Sequence, residues 1–213
     1  MGLNDTAWGN LFEKYRILDE IRQNGHFLIS ASQIKEFREP RLMTKFDHKV
    51  NLPAVFSQNG LSILPVTRGD YVISSFSAYK EFDPPSGQVQ RISVPLSLQS
   101  LSPQFLVSEA IALNCAYACG ILHDFLEEAI ILPTVSGRMS SGQFGFFVDT
   151  AWGSRQVFVS NSQIEIDAAY EGNRFLSLFE AKRDLSEDFL IRQLYYPYRV
   201  WSSRVMKPVK TVF

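Results

Sequence analysis

The sequence has few of the residues that mark disulfide-stabilised or zinc-binding proteins. Its 213 residues include only two cysteines, Cys115 and Cys119. A spacing of four within one helix is poor geometry for a disulfide, so both are interpreted as small buried residues in a reducing compartment. The three histidines are scattered along the chain, so they form no zinc motif with these cysteines.

Long apolar runs, excess charge and glycine-rich loops are also missing. No apolar run approaches the length of a membrane span, and the first residues lack the basic and apolar regions of a signal peptide. We therefore expect a cytoplasmic protein with no membrane partner. The net charge of −1 means that nucleic-acid binding would need a locally basic surface. Neither glycine-rich phosphate-loop motif is present, which argues against a nucleotide-hydrolysing or dinucleotide-binding enzyme of those classes.

The composition that remains is that of a globular protein, with 46% hydrophobic and 20% charged residues. Its length allows one large domain or two small ones. Prolines and glycine between Asp83 and Gly87, with little helical period afterwards, indicate a linker at 79–102 with one extended segment at 89–98. We therefore predict an α+β or α/β protein with domains at 1–78 and 103–213.

The N-terminal part has the element order of a winged helix-turn-helix. Apolar spacing and turn residues predict a helix over 5–23, a strand over 26–29, a helix from Ser30 or Ser32 to Phe37, a third helix over 41–58 in one or two pieces with Pro53 at the start of the second, and a hairpin over 61–76.

Cationic residues accompany this predicted winged helix. The third helix region has Arg38, Arg41, Lys45 and Lys49, and Arg68 lies at the predicted wing tip. Such side chains suit contact with DNA phosphates and insertion into a groove. The alternative is a small α+β domain with a solvated basic face.

The most informative pattern lies in the segment 163–183. Alternating and then continuous apolar residues, separated by turn residues at 171–174, predict two strands. Glu180 and Lys182 end the second strand two residues apart, so they share a face. A hairpin would bring Asp167, at the end of the first strand, close to Glu180. Two carboxylates beside a lysine form a site for a hard divalent cation.

The elements around this hairpin complete the prediction for the C-terminal part. They are a long helix over 103–128, strands at 143–148 and 156–160, a helix from Asp184 or Ser186 that Pro197 should kink or break, and a strand over 209–213.

The order helix, three strands, helix and strand, with Asp167 followed by Glu180-Ala181-Lys182, resembles the PD-(D/E)XK nuclease superfamily in residue type and spacing. The resemblance covers about half of the chain, 103–213. Together with a DNA-binding N-terminal half, the chain is similar to a type II restriction endonuclease. Ile166 stands where the motif has proline. Pro197 stands where a Gln-x-x-x-Tyr element beginning at Gln193 would have tyrosine.

This resemblance implies a restriction-endonuclease-like αβββαβ core that hydrolyses DNA with Mg2+, for which Mn2+ can substitute. Asp167 and Glu180 would hold the cation, with the Ala181 carbonyl as a further ligand. Lys182 would orient or help to deprotonate the attacking water and stabilise the phosphorane. Glu109, on the first helix, is at the family's usual place for an extra acid.

The resemblance also implies partners. Arg192 and Gln193, on the helix after the hairpin, are candidates for phosphate contact with double-stranded DNA. A homodimer would let two sites address two strands. A cognate DNA methyltransferase acting on the same site is a further expected partner.

Several alternatives stand beside this interpretation. An isolated Glu-x-Lys at a strand end is more often a surface ion pair than a catalytic pair. Asp149 and Glu165 are nearby acids that could take the metal-binding role. A repair or transposon-end nuclease on the same fold, or an inactive DNA-binding or regulatory protein, would share the pattern. The metal-site hypothesis requires the carboxylates of Asp167 and Glu180 to lie close together.

Overall fold

The computed structural model describes residues 2–83, 87–101, 104, 106–183 and 186–213. Within these ranges the helices are α1 (Leu3–Lys14), α2 (Ile17–Asn24), α3 (Ala31–Lys35), α4 (Pro40–Met43), α5 (Ala54–Ser57), α6 (Glu109–Ala118), α7 (Ile121–Leu126) and α8 (Arg192–Ser202). None of the helices in the described part is long and apolar enough to cross a bilayer.

Short strands alternate with these helices. They are β1 (Phe27–Ser30), β2 (Ser62–Pro65), β3 (Asp70–Ser74), β4 (Tyr79–Glu81), β5 (Ile131–Pro133), β6 (Gly137–Ser140), β7 (Gln143–Thr150), β8 (Gly153–Ser160), β9 (Gln163–Ile166), β10 (Ala168–Gly172), β11 (Leu176–Phe179), β12 (Asp188–Leu190) and β13 (Val209–Val212). The predicted α+β class is confirmed, with several small sheets.

The chain divides into two compact units, and neither is continuous in sequence. Unit 1 comprises Met1–Phe82, Ser140–Gln163 and Ser186–Arg192, and unit 2 comprises Asp83–Met139, Ile164–Leu185 and Gln193–Phe213. This differs from the predicted division at 79–102. β4, inside that range, pairs with β12, and the β7–β8 hairpin also belongs to unit 1.

Beyond β4, the predicted linker is largely irregular. Residues 87–98 form no helix or strand. A strand there would need a partner for its backbone groups, and these residues are instead largely exposed to water. Residues 84–86, at the predicted turn-rich start of the linker, lie outside the described ranges.

In unit 1, an apolar core packs against a three-stranded antiparallel sheet of order β1–β3–β2. Trp8 is fully buried, its ring meets Phe56 edge-on at 4.8 Å, and its Nε1 donates to the Met43 carbonyl at 2.9 Å. These contacts join α1, α4 and α5. The predicted Ser30 cap is also present, because its Oγ accepts the backbone N–H of Gln33.

Two helices of unit 1 are more divided than predicted. The helix predicted over 5–23 is split into α1 and α2 at Arg16, whose φ of 51° is left-handed. The third helix consists of α4, a 3₁₀ turn at Lys49–Asn51, and α5, which follows Pro53 as predicted. The hairpin β2–β3 is present as predicted.

Unit 2 is built on a four-stranded sheet of order β13–β11–β10–β5. β10 pairs antiparallel with both β5 and β11, and β13 pairs parallel with β11. The side chain of Tyr170, on β10, stacks on Tyr117 of α6 at 5.3 Å and packs edge-on against Phe179 of β11 at 5.4 Å. Helices α6 and α7 thus bury one face of the sheet, around Leu113, Leu122 and Leu126.

The first helix predicted for this unit was wrong, because the structure has two helices there. The helix predicted over 103–128 is two helices, because Gly120 adopts a left-handed φ of 78° after α6. The reversal ends α6 in the way that C-terminal glycines commonly do. Pro103 and Phe105, at its predicted start, lie outside the described residues.

The helix predicted from Asp184 or Ser186 was wrong in its start. Asp188–Leu190 instead forms β12 and pairs with β4, and α8 begins only at Arg192. Asp184 lies outside the described residues. α8 also continues through Pro197, since the fixed φ of proline is compatible with a helix although one backbone hydrogen bond is lost. The predicted strand over 209–213 is present as β13.

Substitution of alanine at two glycines should change the free energy of unfolding in opposite directions. A Cβ at Gly172, in β10, would clash with the buried carboxylate of Glu128, whereas a Cβ at Gly9, in α1, meets no atom within 4 Å. We expect Gly172→Ala to lower the free energy of unfolding by about 1–3 kcal/mol. Gly9→Ala should raise it by about 0.5–1 kcal/mol. Urea-induced unfolding followed by circular dichroism measures both, and an unchanged Gly172→Ala protein would contradict the close approach.

Asp5 should make stability depend on pH. Its carboxylate accepts the backbone N–H groups of Ala54 (2.8 Å) and Gly2 (2.9 Å), and these hydrogen bonds, the Ala54 bond most, lower the pKa of Asp5. A lowered folded pKa stabilises the fold above the unfolded pKa, and the contribution is lost as the pH falls through the folded value. Asp5→Ala should therefore cost about 1 kcal/mol at neutral pH, and less below about pH 4. A pH-independent loss in urea titrations would refute this.

Candidate active site and basic groove

Asp167 occupies the single position between two strands of unit 2. β9 ends at Ile166 and β10 begins at Ala168. The predicted hairpin partner of β11 was the strand ending at Asp167. The structure corrects this, because the partner is β10, while β9 pairs with β6. The chain bends at Asp167, because β9 pairs with β6 in one sheet and β10 belongs to the four-stranded sheet.

The pairing of β10 with β11 brings the predicted residues together at one end of this hairpin. Ala168 lies opposite Phe179, so one further step sets Asp167 beside Glu180. Asp167 Oδ2 accepts the backbone N–H of Ala181 at 2.8 Å. Lys182 Nζ lies 2.5 Å from Glu180 Oε1. Both polar residues follow the last strand residue, Phe179, rather than lying within β11 as predicted.

Glu180 is a buried acid held by two donors. The residue is only 8% exposed, and its Oε1 accepts hydrogen bonds from Lys182 Nζ and from Gln193 Nε2 at 2.6 Å. Burying a carboxylate is costly unless it is paired and hydrogen-bonded, so this pair differs from an ordinary surface Glu-Lys contact. Gln193, predicted to contact phosphate, here bonds an acid of the cluster.

The side-chain amide oxygen of Gln193 is a further polar group at this cluster. Gln193 Oε1 is buried and has no hydrogen-bond partner among the described residues. Gln193 is the second residue of α8, so the helix start fixes its position near Glu180. A buried carbonyl oxygen of this kind can accept a bond from a water molecule at the cluster.

The oxygen donors at this cluster suit a hard divalent cation. Mg2+ in proteins is commonly bound by one or two carboxylates together with waters and substrate phosphate oxygens. Asp167 and Glu180 supply two carboxylates, and the Ala181 backbone is held against Asp167. The residue types in this cluster therefore suit the binding of Mg2+. Among the described residues, no group of three or more His, Cys, Asp and Glu side chains could hold a metal.

The other candidate acids are placed elsewhere. Glu109 is the first residue of α6 and forms no three-residue metal-binding group with Asp167 and Glu180 in the described part of the chain. Glu165, on β9, is half-exposed and forms an ion pair with Arg138 at 3.2 Å. Asp149 is an exposed residue of β7, in unit 1.

Unit 1 contains a second feature, a groove of about 490 Å³. Its cationic lining residues are Lys35, Arg41, Lys45, Arg68 and Arg192. The first four are exposed, and none of them forms an ion pair with any residue that the structure describes. One carboxylate, that of Glu39, also lines the groove, so the lining has an excess of positive charge that is partly offset.

Two other predicted DNA-binding residues, Arg38 and Lys49, are engaged within unit 1. Arg38 Nη1 donates to Asn4 Oδ1 at 2.7 Å, which ties the segment between α3 and α4 to α1. Lys49 Nζ forms an ion pair with Glu81 at 2.8 Å, and this pair raises the pKa of the lysine. Neither residue lines the groove. Of the predicted cations, the structure brings together Arg41, Lys45, Arg68 and Arg192.

Several lining residues were not found from the sequence, and four of them matter for the chemistry of the groove. They are Lys35, Tyr71, Ser162 and Gln163. The sequence could have indicated Lys35 as a member of the basic surface, because it precedes Arg38 by less than one helical turn. Ser162 and Gln163 had none, since they follow the β7–β8 hairpin about 90 residues after Tyr71 and join this surface only through the fold.

Comparison with known families adds a classification. The model of the Domain of unknown function (DUF6997) matches residues 74–213. The chain belongs to this family. A second model, Domain of unknown function (DUF6996), matches residues 5–73, which correspond to α1 through β3. No curated protein and no solved structure matches the chain.

The buried Glu180–Lys182 pair should be energetically distinct from the exposed Lys49–Glu81 pair. Removing Lys182 leaves a buried carboxylate without its cation, so Lys182→Ala should lower the free energy of unfolding by about 3 kcal/mol. Lys49→Ala, the matched control, should have little effect, because its pair is solvent-exposed. Thermal and urea unfolding measure the difference. Equal losses for the two variants would show that Glu180 is effectively solvated.

Proposed function

We propose that the chain is a Mg2+-dependent endodeoxyribonuclease of the PD-(D/E)XK kind, acting in the cytoplasm as a homodimer. Unit 2 would hydrolyse phosphodiester bonds of double-stranded DNA, and the groove of unit 1 would contact the DNA. A sequence-specific enzyme of the type II restriction kind, with a cognate methyltransferase, is the form of this activity that the residues favour.

One observation carries the proposal. In unit 2, two antiparallel strands bring Asp167 beside Glu180-Ala181-Lys182, and the following helix leads to β13, parallel to β11. Within the four-stranded sheet, β5, β10 and β11 follow α6 and α7, and α8 precedes β13, which supports an αβββαβ nuclease core with β6 and β9 as additions. The residue types and their common sheet end support the same conclusion.

The chain's own residues suggest how the reaction would be divided. A divalent cation at Asp167 and Glu180 would polarise the scissile phosphate and lower the pKa of a bound water. Lys182 presents a cationic donor at the Glu180 carboxylate, where it would orient the attacking water and stabilise negative charge on the phosphate. Gln193 holds the same Glu180 oxygen and would fix the carboxylate orientation.

A DNA-binding protein without hydrolytic activity is the second candidate. Lys182 and Gln193 both donate to the same oxygen of Glu180, an arrangement that also serves as a closed structural ion pair. In that case the groove of unit 1 would still contact DNA phosphates, and Asp167 would serve to bind the Ala181 backbone.

A plasmid cleavage assay tests the nuclease. The wild-type protein with supercoiled plasmid and Mg2+ should give metal-dependent cleavage that chelation with EDTA abolishes. Asp167→Asn and Lys182→Ala should reduce the rate by about a thousandfold, since one removes a cation ligand and the other the positioned ammonium. Circular dichroism confirms that each variant is folded, and the Lys182 variant is assayed below its unfolding transition.

Glu165→Gln is the matched control. It removes an acid two residues from Asp167 whose carboxylate pairs with exposed Arg138, so cleavage should be retained. Discrete fragments would indicate a restriction enzyme, and nonspecific nicking a repair or transposon-end nuclease. A folded dimer that cleaves no DNA with Mg2+ or Mn2+ would leave the DNA-binding candidate.

A further inference from the structure

The groove of unit 1 is an open concavity with two walls. One wall is formed by α3, α4 and the residues that follow α4, and the other by the β2–β3 turn. The backbone N–H of Ala31 donates to the Gly69 carbonyl at 2.6 Å, which joins the two walls. Its volume of about 490 Å³ lies in the range of small-ligand pockets.

The cation on the turn wall is held on a rigid support. Thr67 Oγ1 accepts the backbone N–H groups of Gly69 (3.1 Å) and Asp70 (2.9 Å) and donates to Asp70 Oδ2 at 2.8 Å. These bonds fix the turn that presents Arg68. Opposite it, Lys35 and Arg41 are exposed on α3 and α4. Both walls therefore present cations to the same concavity, which suits a phosphate group.

The groove also contains a buried polar group without a partner. Ser162 is only 1% exposed, and its Oγ forms no hydrogen bond with any residue in the described ranges. A buried hydroxyl is normally bonded, because leaving it unpaired costs free energy. Ser162 lines the groove, so a ligand group seated there can supply the missing bond.

Another part of the lining suits a nucleobase. Tyr71 is half-buried beside Pro65, its register partner on β2, and Pro40 also lines the groove. These residues give an apolar surface on which a base can lie. Gln163 is exposed next to Ser162 and offers an amide, which can both donate to and accept from a base edge.

We propose that this groove is a pocket for a single nucleotide, which binds the phosphate through Lys35, Arg41 and Arg68 and the base through Tyr71, Ser162 and Gln163. This deepens the DNA-binding role in the proposed function and rests on it for the source of the nucleotide. A nucleotide displaced from a DNA duplex and a free mononucleotide share the required chemistry.

Fluorescence anisotropy with the full chain in EDTA tests the pocket independently of cleavage. The probes are two labelled duplexes of the same sequence, one fully paired and one with a single unpaired nucleotide, and deoxynucleoside monophosphates serve as competitors. The duplex with the unpaired nucleotide should bind about tenfold more tightly, as expected for one added base stack. Because no divalent metal is present, inactivity of unit 2 does not affect this measurement.

Two variants assign the preference to the pocket. Ser162→Ala and Gln163→Ala should bring the two duplexes to nearly equal affinity, while binding of the paired duplex persists through the cations. Ser162→Ala should not lower the melting temperature, since it removes an unpartnered hydroxyl. Gln156→Ala, an exposed amide of β8 that does not line the groove, is the matched control and should keep the preference.

The competitors separate the two sources. Release of the unpaired-nucleotide duplex by monophosphates indicates a pocket that also accepts free nucleotides, and a preference without such release indicates one that takes its nucleotide only from DNA. Equal affinity of the wild-type protein for both duplexes overturns the proposal, because the groove then contacts phosphates alone. Equal competition by an acidic peptide also overturns it, and so does a preference that survives both variants.

Discussion

The antiparallel register of β10 and β11 is the constraint on which the candidate active site depends. With Ala168 opposite Phe179, Asp167 and Glu180 are neighbours at the same end of the hairpin. A shift of one residue would turn alternate side chains to the other face of the sheet and expose Tyr170, which packs between α6 and β11. The apolar core that fixes the register therefore also fixes the separation of the two acids.

Much of this arrangement could be predicted because its causes are local. Ser30 was one of two candidate caps, the turn at 67–70 was recognised as a hairpin, and Asp167, Glu180 and Lys182 were recognised as a cluster. Each follows from spacing and turn chemistry along the sequence. The break of the first C-terminal helix at Gly120 was also visible locally, but the helical spacing of apolar residues on both sides favoured one long helix.

Several of the errors have a common cause in distant pairing. Asp188–Leu190 resembles the first turn of a helix, yet it forms a strand because β4, more than 100 residues earlier, offers a partner. Asp188 also accepts the backbone N–H of Lys49 at 3.1 Å, a contact that no local pattern indicates. Ser162 and Gln163 were missed for the same reason, because their neighbours in the groove lie far away in sequence.

The segments of the two units alternate along the sequence, which affects folding during synthesis. Unit 1 needs residues up to Arg192, including β12, whose strand partner β4 is near its first segment. During synthesis, β4 can therefore pair with β12 only after most of the chain has been made. In that interval β4 lacks its strand partner, which is a condition under which chaperones commonly assist folding.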